Sequence, residues 1–338
     1  MKTIPHSAPW IEDDDIEAIL VRAKSTYVGF SVDLEAEIAK NALLYINKKF
    51  FQTTSSGTLA LYFALRHSRS STGKNEVIIS SINCWAVYNS VIQAGYDPII
   101  CDVRSESDFR ADYNSIKGSI TSKTSAIVIT HMFGHLIEAV VLQKLKQEHP
   151  EITIIEDYAS SFGATYGDGT LIGQYSDFVI TSFASTKQIT GGVGGGIACD
   201  QRILEFDYDR RNRGVQIALN ANLSSLDQTL LLSQLKKIGI ILKKKKKVID
   251  FYSQYLKIYG YSSGCSLYRA ITFQDCSNLC NRLADVGISL DIRKSVQPNI
   301  SRELKQLSNN NAMQFDSYFS LPLNRIVYDE FRILALIS

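Results

Sequence analysis

At 338 residues, with 45% hydrophobic and 21% charged side chains, the chain has the make-up of an ordinary globular protein, long enough for one large domain with a smaller one attached. A formal net charge of +2 gives no long-range field toward nucleic acid or an anionic membrane, and no apolar run approaches the ~18 residues of a spanning helix. Its 6 cysteines, with no apolar leader in the opening MKTIPHSAPW, lead to the expectation of a reduced, cytoplasmic setting rather than a disulfide framework.

Between about residues 50 and 200, short apolar runs alternate with helical patterns. KFFQTT (49–54), EVIIS (76–80), PIICDV (98–103), AIVITH (126–131), ITIIED (152–157), DFVITSF (177–183) and GGIACD (195–200) read as strands. Amphipathic stretches such as TLALYFALRH and AVVLQKLKQEH separate most of them. Strands apolar on both faces and separated by helices predict an α/β fold with a mostly parallel sheet covered on both sides. Residues 223–258 read as long helices, LSSLDQTLLLSQLKKIGIIL and VIDFYSQYLKIYG. The run Lys243–Lys247 falls in that pattern, with Leu235, Ile238, Leu242 and Ile249 as a buried stripe and the lysines as a solvated face. Beyond it, SLYRAITF reads as a strand, DCSNLCNRLADVG as a helix ended by Gly287, and ISLDIRK as another strand; YFSLPL and YDEFRILALIS close the chain. The expected organisation is a large domain over 1–240, including an N-terminal arm, and a small α+β domain over 241–338. No metal site is expected. Cys276 and Cys280 lack a second ligand pair, and Gly134 and the strand before it argue against a helical His131/His135 pair.

The stretch TSFASTKQITGGVGGG (181–196) sets one lysine before five glycines. A nucleotide loop would place its lysine after the glycines, and a dinucleotide loop would open a helix, whereas GIACD reads as a strand. Ligands of open α/β sheets bind beyond the carboxyl ends of the strands, so those ends carry the chemistry. Ser55, Ser56, Gly57 and Thr58 follow the first strand and open a helix, either as caps or as a phosphate cradle. Glu156 and Asp157 end a fully apolar strand, where a carboxylate is costly unless paired or hydrogen-bonded, whether to an arginine for structure or to a cationic ligand nitrogen. Ser182, Ser185 and Lys187 follow another, the lysine either balancing Asp157 or forming a Schiff base with a carbonyl cofactor. Pyridoxal phosphate would use all three places together, needing a phosphate cradle, an acid at its ring nitrogen and a lysine for its aldehyde.

With these motifs in hand, the chain resembles the DegT/DnrJ/EryC1/StrS sugar aminotransferases of the fold-type I pyridoxal-phosphate enzymes, from IEDDDIEAIL to about residue 240 and more loosely to the end. SSGTLALYFALR is similar to that family's phosphate helix, NEVIISSINCWAVYNSVIQAGYDPIICDV to its segment with an aromatic over the ring, and TSAIVITHMFG to its strand ending in His and Gly. IIEDYASSFGA and SFASTKQITGGVGG resemble its acid and lysine motifs. The resemblance implies a seven-stranded fold-type I sheet whose large domain binds the cofactor. It makes Lys187 the Schiff-base lysine and Asp157 the ring-nitrogen partner, both catalytic, with Ser56, Gly57, Thr58 and Ser182 at the phosphate. NANLSSLDQTLLLSQL resembles the segment whose Asn reaches the neighbouring subunit's phosphate, which implies Asn220 in that role and a homodimer. The chain departs from the family at Ser160, where Gln or His contacts the ring, and at Asn222, where an Arg is usual. Cys84 stands at the ring-stacking aromatic's place, with Trp85 one position on, and DIRKSVQPNI replaces the usual C-terminal loop. The implied activity is transfer of an amino group from L-glutamate to a nucleotide-linked keto-deoxysugar, for cell-surface polysaccharide such as O-antigen. The alternatives are another pyridoxal-phosphate reaction and a non-catalytic or regulatory sugar-binding homologue.

Overall fold

Strands that are apolar on both faces can be buried only at the centre of a layered structure, and the seven strands lie there. The structure, a computed structural model, describes residues 2–25, 27–105, 107–201, 219–260, 266, 269–295, 318–322, 324 and 328–329. Across the sheet the order is β2 (Phe50–Thr54), β10 (Gly195–Cys199), β9 (Phe178–Ser182), β8 (Thr153–Asp157), β7 (Thr124–Thr130), β3 (Glu76–Ser80) and β4 (Asp97–Cys101). β10 runs antiparallel to both its neighbours, and the pairs from β9 to β4 are parallel. Pro98, which has no N–H for a ladder, sits on the edge strand β4.

The period of two is visible in the cores. Val77, Ile79, Val128 and Ile155 pack on one face against Ala60, Leu61, Phe63 and Ala64 of α3 (Gly57–Thr72) and against Val87 and Val91 of α4 (Trp85–Gln93). Ile78, Ile127, Ile129 and Ile154 pack on the other face against Leu142 and Leu145 of α6 (Ala139–Glu148). Each buried Val, Leu, Ile or Phe among them contributes about 1.5–3 kcal/mol. After β4 the chain makes a hairpin of β5 (Val103–Ser105) and β6 (Asp108–Ala111), then α5 (Tyr113–Ser119), before entering β7. The run PIICDV is therefore divided at Asp102 rather than forming one strand.

The helices expected over 223–258 are one continuous helix through residue 252, α7 (Ser225–Tyr252), since lysine is a good helix former and no proline interrupts the run. α7 packs against α1 (Asp13–Ala23) and α2 (Val32–Ala42). Asp15 of α1 is fully buried there by Ser233 (2.6 Å), Gln234 (2.7 Å) and Lys237 (2.8 Å). The lysine run is not one solvated face. At 100° per residue, five successive positions encircle a helix, so one must turn inward. Lys243, Lys246 and Lys247 are exposed, and Lys244 reaches Glu12 and lies over the Trp10 ring. Lys245 is buried, and burial pushes its amine down to about 7.

A further buried cluster joins the end of α7 to the antiparallel sheet of β11 (Ala270–Thr272), β14 (Tyr318–Leu321) and β13 (Arg293–Ser295), to the helix α8 (Ser277–Asp285) and to β12 (Ile288–Leu290). Gly287 adopts φ 78°, the left-handed conformation that ends α8. ISLDIRK is divided between β12 and β13. β12 pairs in parallel with β1 (Lys2–Ile4), and Ile4 is buried in this cluster, so the N-terminal strand packs among C-terminal elements. Residues 296–300 of DIRKSVQPNI, 267–268 of SLYRAITF and 330–338 of YDEFRILALIS lie outside the described residues.

Candidate active site

The carboxyl ends of β2, β8 and β9 open onto one cavity of about 540 Å³. Its walls include Ser56, Gly57, Thr58, Trp85, Asp157, Ser160, Ser182 and Lys187, which the sequence scatters over more than a hundred positions. Asn220 is not on its wall: it is exposed, with φ 45°, although the neighbouring Ala221 accepts the Ser55 N–H at 2.8 Å. Cys84 and Trp85 both reach the cavity, Cys84 as the residue capping α4 and Trp85 as its first residue, set edge-on to Tyr88.

The cradle is the start of α3. The Ser56 hydroxyl accepts the Leu59 N–H at 3.2 Å, so it caps the helix and can still donate its own hydrogen. The positive end of a 16-residue helix therefore faces the cavity beside Gly57 and Thr58. A Cβ on Gly57 would come 2.9 Å from the Ser182 Cβ, so glycine lets this turn rest on the end of β9. Of the glycines after Lys187, Gly195 serves the same turn from the other side. A Cβ on Gly195 would collide with the Gly57 nitrogen, and one on Gly196 would collide with the Phe51 ring.

β8 ends in two buried carboxylates that point to opposite sides. Glu156 accepts from Ser176 Oγ (2.6 Å), Tyr166 Oη (2.7 Å), the Gly173 N–H (3.0 Å) and His131 Nε2 (3.0 Å). Because His131 Nδ1 accepts the Ile137 N–H at 3.3 Å, Nε2 carries the proton given to Glu156. Burial alone would raise Glu156, but these donors outweigh it and hold its carboxyl below the ordinary value. Asp157 lines the cavity instead. It accepts the Ala159 N–H at 3.0 Å, and Thr130 Oγ1 lies 3.5 Å away. Burial holds its carboxyl above its ordinary value; the Ala159 N–H and the nearby Lys187 charge offset this only in part.

Lys187 Nζ lies 3.4 Å from Ser160 Oγ. The next residue, Gln188, is buried, and its Nε2 donates to the backbone oxygens of Ser160 (2.7 Å) and Ser266 (2.9 Å). The lysine loop is thus fastened both to the loop after β8 and to the segment leading into β11.

Residues 12–331 match the DegT/DnrJ/EryC1/StrS aminotransferase family. The chain belongs to this family. Among its relatives, GDP-perosamine synthase of Vibrio cholerae is 27% identical over 250 residues, an alignment covering 71% of this chain and 65% of that protein's length. GDP-perosamine synthase of Escherichia coli O157:H7 is 26% identical over 75% of this chain and 71% of its own. Two solved structures share the fold at a TM-score of 0.82. The putative sugar aminotransferase Spr1654 of Streptococcus pneumoniae, in its PLP form, is 20% identical and covers 98% of this chain and 96% of its own. PseC of Helicobacter pylori, an aminotransferase of pseudoaminic acid biosynthesis, is 21% identical and covers 98% and 97%. The seven-stranded sheet is the fold of these aminotransferases.

Within this family member, one feature of the cavity and one behind β8 escape a reading of local motifs. Arg269 lines the wall, and the sequence marks it only as a cation at the head of the apolar run AITF. The buried network of His131, Tyr166, Ser176 and Gly173 on Glu156 joins segments that no spacing rule connects. The numerical i,i+4 pair His131/His135 separates: His131 meets Glu156, whereas His135 packs edge-on to Tyr259 at 4.2 Å.

Proposed function

We propose that this family member is a pyridoxal-phosphate aminotransferase that moves an amino group from L-glutamate to a nucleotide-linked keto-deoxysugar, serving polysaccharide synthesis such as O-antigen. One observation carries the reading: a helix N-terminus, a buried acid and a lysine, from three different strand ends, meet in one cavity. They fit a phosphorylated pyridine aldehyde. The start of α3 offers N–H groups to a phosphate, with Gly57 leaving room beside Ser182. Asp157 is buried with its charge incompletely compensated, which suits a protonated ring nitrogen. Relatives named as amino-sugar transaminases and a neighbour described in PLP and PMP forms support the cofactor and the substrate class.

When bound, the cofactor supplies a carbonyl for the donor nitrogen and an electron sink for the carbon that loses a proton. The residues do the rest. Ser56, Gly57, Thr58 and Ser182 would hold the phosphate, and Asp157 would keep a proton on the ring nitrogen. Trp85, with Cys84 beside it, and Ser160 would line the place of the cofactor ring. Lys187 would hold the cofactor through its amine and, as the base on the cavity wall, would carry a proton at the donor's α-carbon. We further propose a cytoplasmic homodimer in which Asn220 serves the partner's phosphate, with the division between large and small domains near residue 240. Exposed Leu20, Val21, Tyr27 and Val32 around α1 and α2 offer an apolar surface for a second copy, and sedimentation equilibrium tests the dimer. No described helix is long and apolar enough to cross a membrane.

Borohydride reduction of the yellow protein should fix the cofactor to the peptide containing Lys187, as located by mass spectrometry, and Lys187→Ala should abolish turnover. A colourless protein, or labelling at another lysine, overturns the reading.

A further inference from the structure

β3, β7 and β8 are parallel neighbours in the large sheet, so their carboxyl ends lie side by side. Thr130 closes β7 and Asp157 closes β8; the two are paired in register, and both line the cavity. Beyond β3, Asn83 stands just before Cys84, the capping residue of α4, and is fully buried.

A buried amide is costly unless its polar atoms are used, and both ends of this one are. Asn83 Oδ1 accepts the Cys84 N–H at 2.8 Å, which turns Nδ2 the other way, to donate to Thr130 Oγ1 at 3.0 Å. The threonine oxygen thus receives one hydrogen, and its own goes to Asp157 Oδ2, 3.5 Å away, the acceptor this hydroxyl has among the described residues. The Ala159 N–H reaches the other oxygen, Oδ1, at 3.0 Å. Each carboxylate oxygen therefore has one donor. That fixes the plane of the group and leaves a lone pair on each oxygen for a cation.

We propose that Asn83 is a positioning residue for the acid: it sets the direction of the Thr130 hydroxyl and, through it, the plane of the Asp157 carboxylate. This rests on the aminotransferase reading above, in which Asp157 faces a ring nitrogen, and names what holds that acid ready. A hydroxyl can turn either its hydrogen or a lone pair toward a neighbour, and a lone pair would repel a carboxylate. The Asn83 N–H removes the choice and polarises the hydroxyl as a donor. The contact to Asp157 is long, so it orients the carboxylate without satisfying it. The same amide holds the start of α4, which puts Cys84 and Trp85 on the cavity wall, so one buried side chain ties the acid to that wall.

The test compares wild type, Thr130→Val, Thr130→Ser, Asn83→Ala and the double variant Asn83→Ala/Thr130→Val, with circular dichroism as the check on folding. The first readout needs no cofactor. The Asp157 carboxyl is titrated by carbon NMR in aspartate-labelled protein, its signal assigned by its loss in Asp157→Asn. The other titratable or charged groups acting on Asp157 include Lys187 and His131, and no variant replaces either. The expected midpoint rises by about 0.5 pH unit in Thr130→Val and returns to the wild-type value in Thr130→Ser. Asn83→Ala should raise it too, and the double variant should match Thr130→Val alone, because the amide acts through the hydroxyl. In the cofactor-loaded protein, Asn83→Ala and Thr130→Val should lower kcat about 3–10-fold with KM for both substrates unchanged. An unshifted midpoint in Thr130→Val overturns the proposal. So does an Asn83→Ala shift that persists in full on the Thr130→Val background, or a purely destabilising Asn83→Ala that leaves the midpoint alone and makes Asn83 a cap of α4 only. A wild type that takes up no cofactor removes the aminotransferase reading, while the titration still decides whether Asn83 acts on Asp157.

Discussion

The two sides of β8 treat adjacent carboxylates in opposite ways. Behind the strand, Glu156 is met by a hydroxyl, a phenol, a backbone N–H and an imidazole N–H, and its carboxyl is held below the ordinary range. In front, Asp157 has the Ala159 N–H at 3.0 Å and a long contact to Thr130, and its carboxyl is held above it. Both are buried, so burial does not separate them; the supply of donors does. A saturated buried carboxylate ties chain segments together, while an undersupplied one on a cavity wall awaits a cation from outside the chain. The comparison gives Glu156 an architectural place, and leaves Asp157 for the chemistry proposed above.

The largest effect should come from breaking the undersupplied side. Asp157→Asn leaves the shape and the Ala159 contact in place but cannot hold a proton on a ring nitrogen. Turnover should fall by about 100–1000-fold, the scale of losing one placed electrostatic partner, ~3–4 kcal/mol in the barrier. The urea midpoint of the cofactor-free protein should not fall. Normal turnover in this variant would falsify the division of labour and move attention to Glu156.

Glu156→Gln attacks the other side. The amide offers one oxygen where the carboxylate offered two, and its NH₂ group meets donors. Breaking a buried charged partner of this kind costs about 3–5 kcal/mol. The urea midpoint should drop accordingly, while the cofactor absorbance of whatever protein remains folded should be retained. If the variant instead folds with wild-type stability and loses the cofactor, Glu156 belongs to the site and the contrast is wrong.

Much of this was open to a reader of the sequence, and the rest was hidden for identifiable reasons. Strands apolar on both faces announce a covered parallel sheet, so all seven strands of the large sheet and the cavity at their ends were legible. Motif order brought Ser56, Asp157 and Lys187 together before any coordinates did. The difference between Glu156 and Asp157 was not legible, because adjacent strand residues differ only in which side they face, and the donors come from residues 131, 166, 173 and 176. The pairing of β1 with β12 is a contact between chain ends that no local pattern encodes. Lys245 turned inward because a helix has no face wide enough for five successive lysines. Arg269 stayed hidden because its place depends on Gln188 fastening the segment before it.

The smallest effect is also the one that reads the contrast most directly, through the sign of a pH dependence. Glu156 has a folded value below its ordinary 4.5, so its contribution to stability is present above that value and is lost as pH falls through the depressed one. Asp157 has a folded value above its ordinary 3.8, so the folded chain holds that proton more tightly than the unfolded one. Its contribution is fully present below 3.8 and is lost as pH rises through the raised value. In the cofactor-free protein at neutral pH, Asp157→Asn should therefore be slightly more stable than wild type, with the gap narrowing as the pH is lowered toward 4. A bound ring cation reverses the order, because wild type then gains the pairing that the amide cannot make. Urea midpoints at pH 5 and 7.5, with and without cofactor, check both signs. A cofactor-free wild type more stable than Asp157→Asn at pH 7.5 would mean that Asp157 already has a sufficient partner in the chain, and the cavity would lose its claim on a cation.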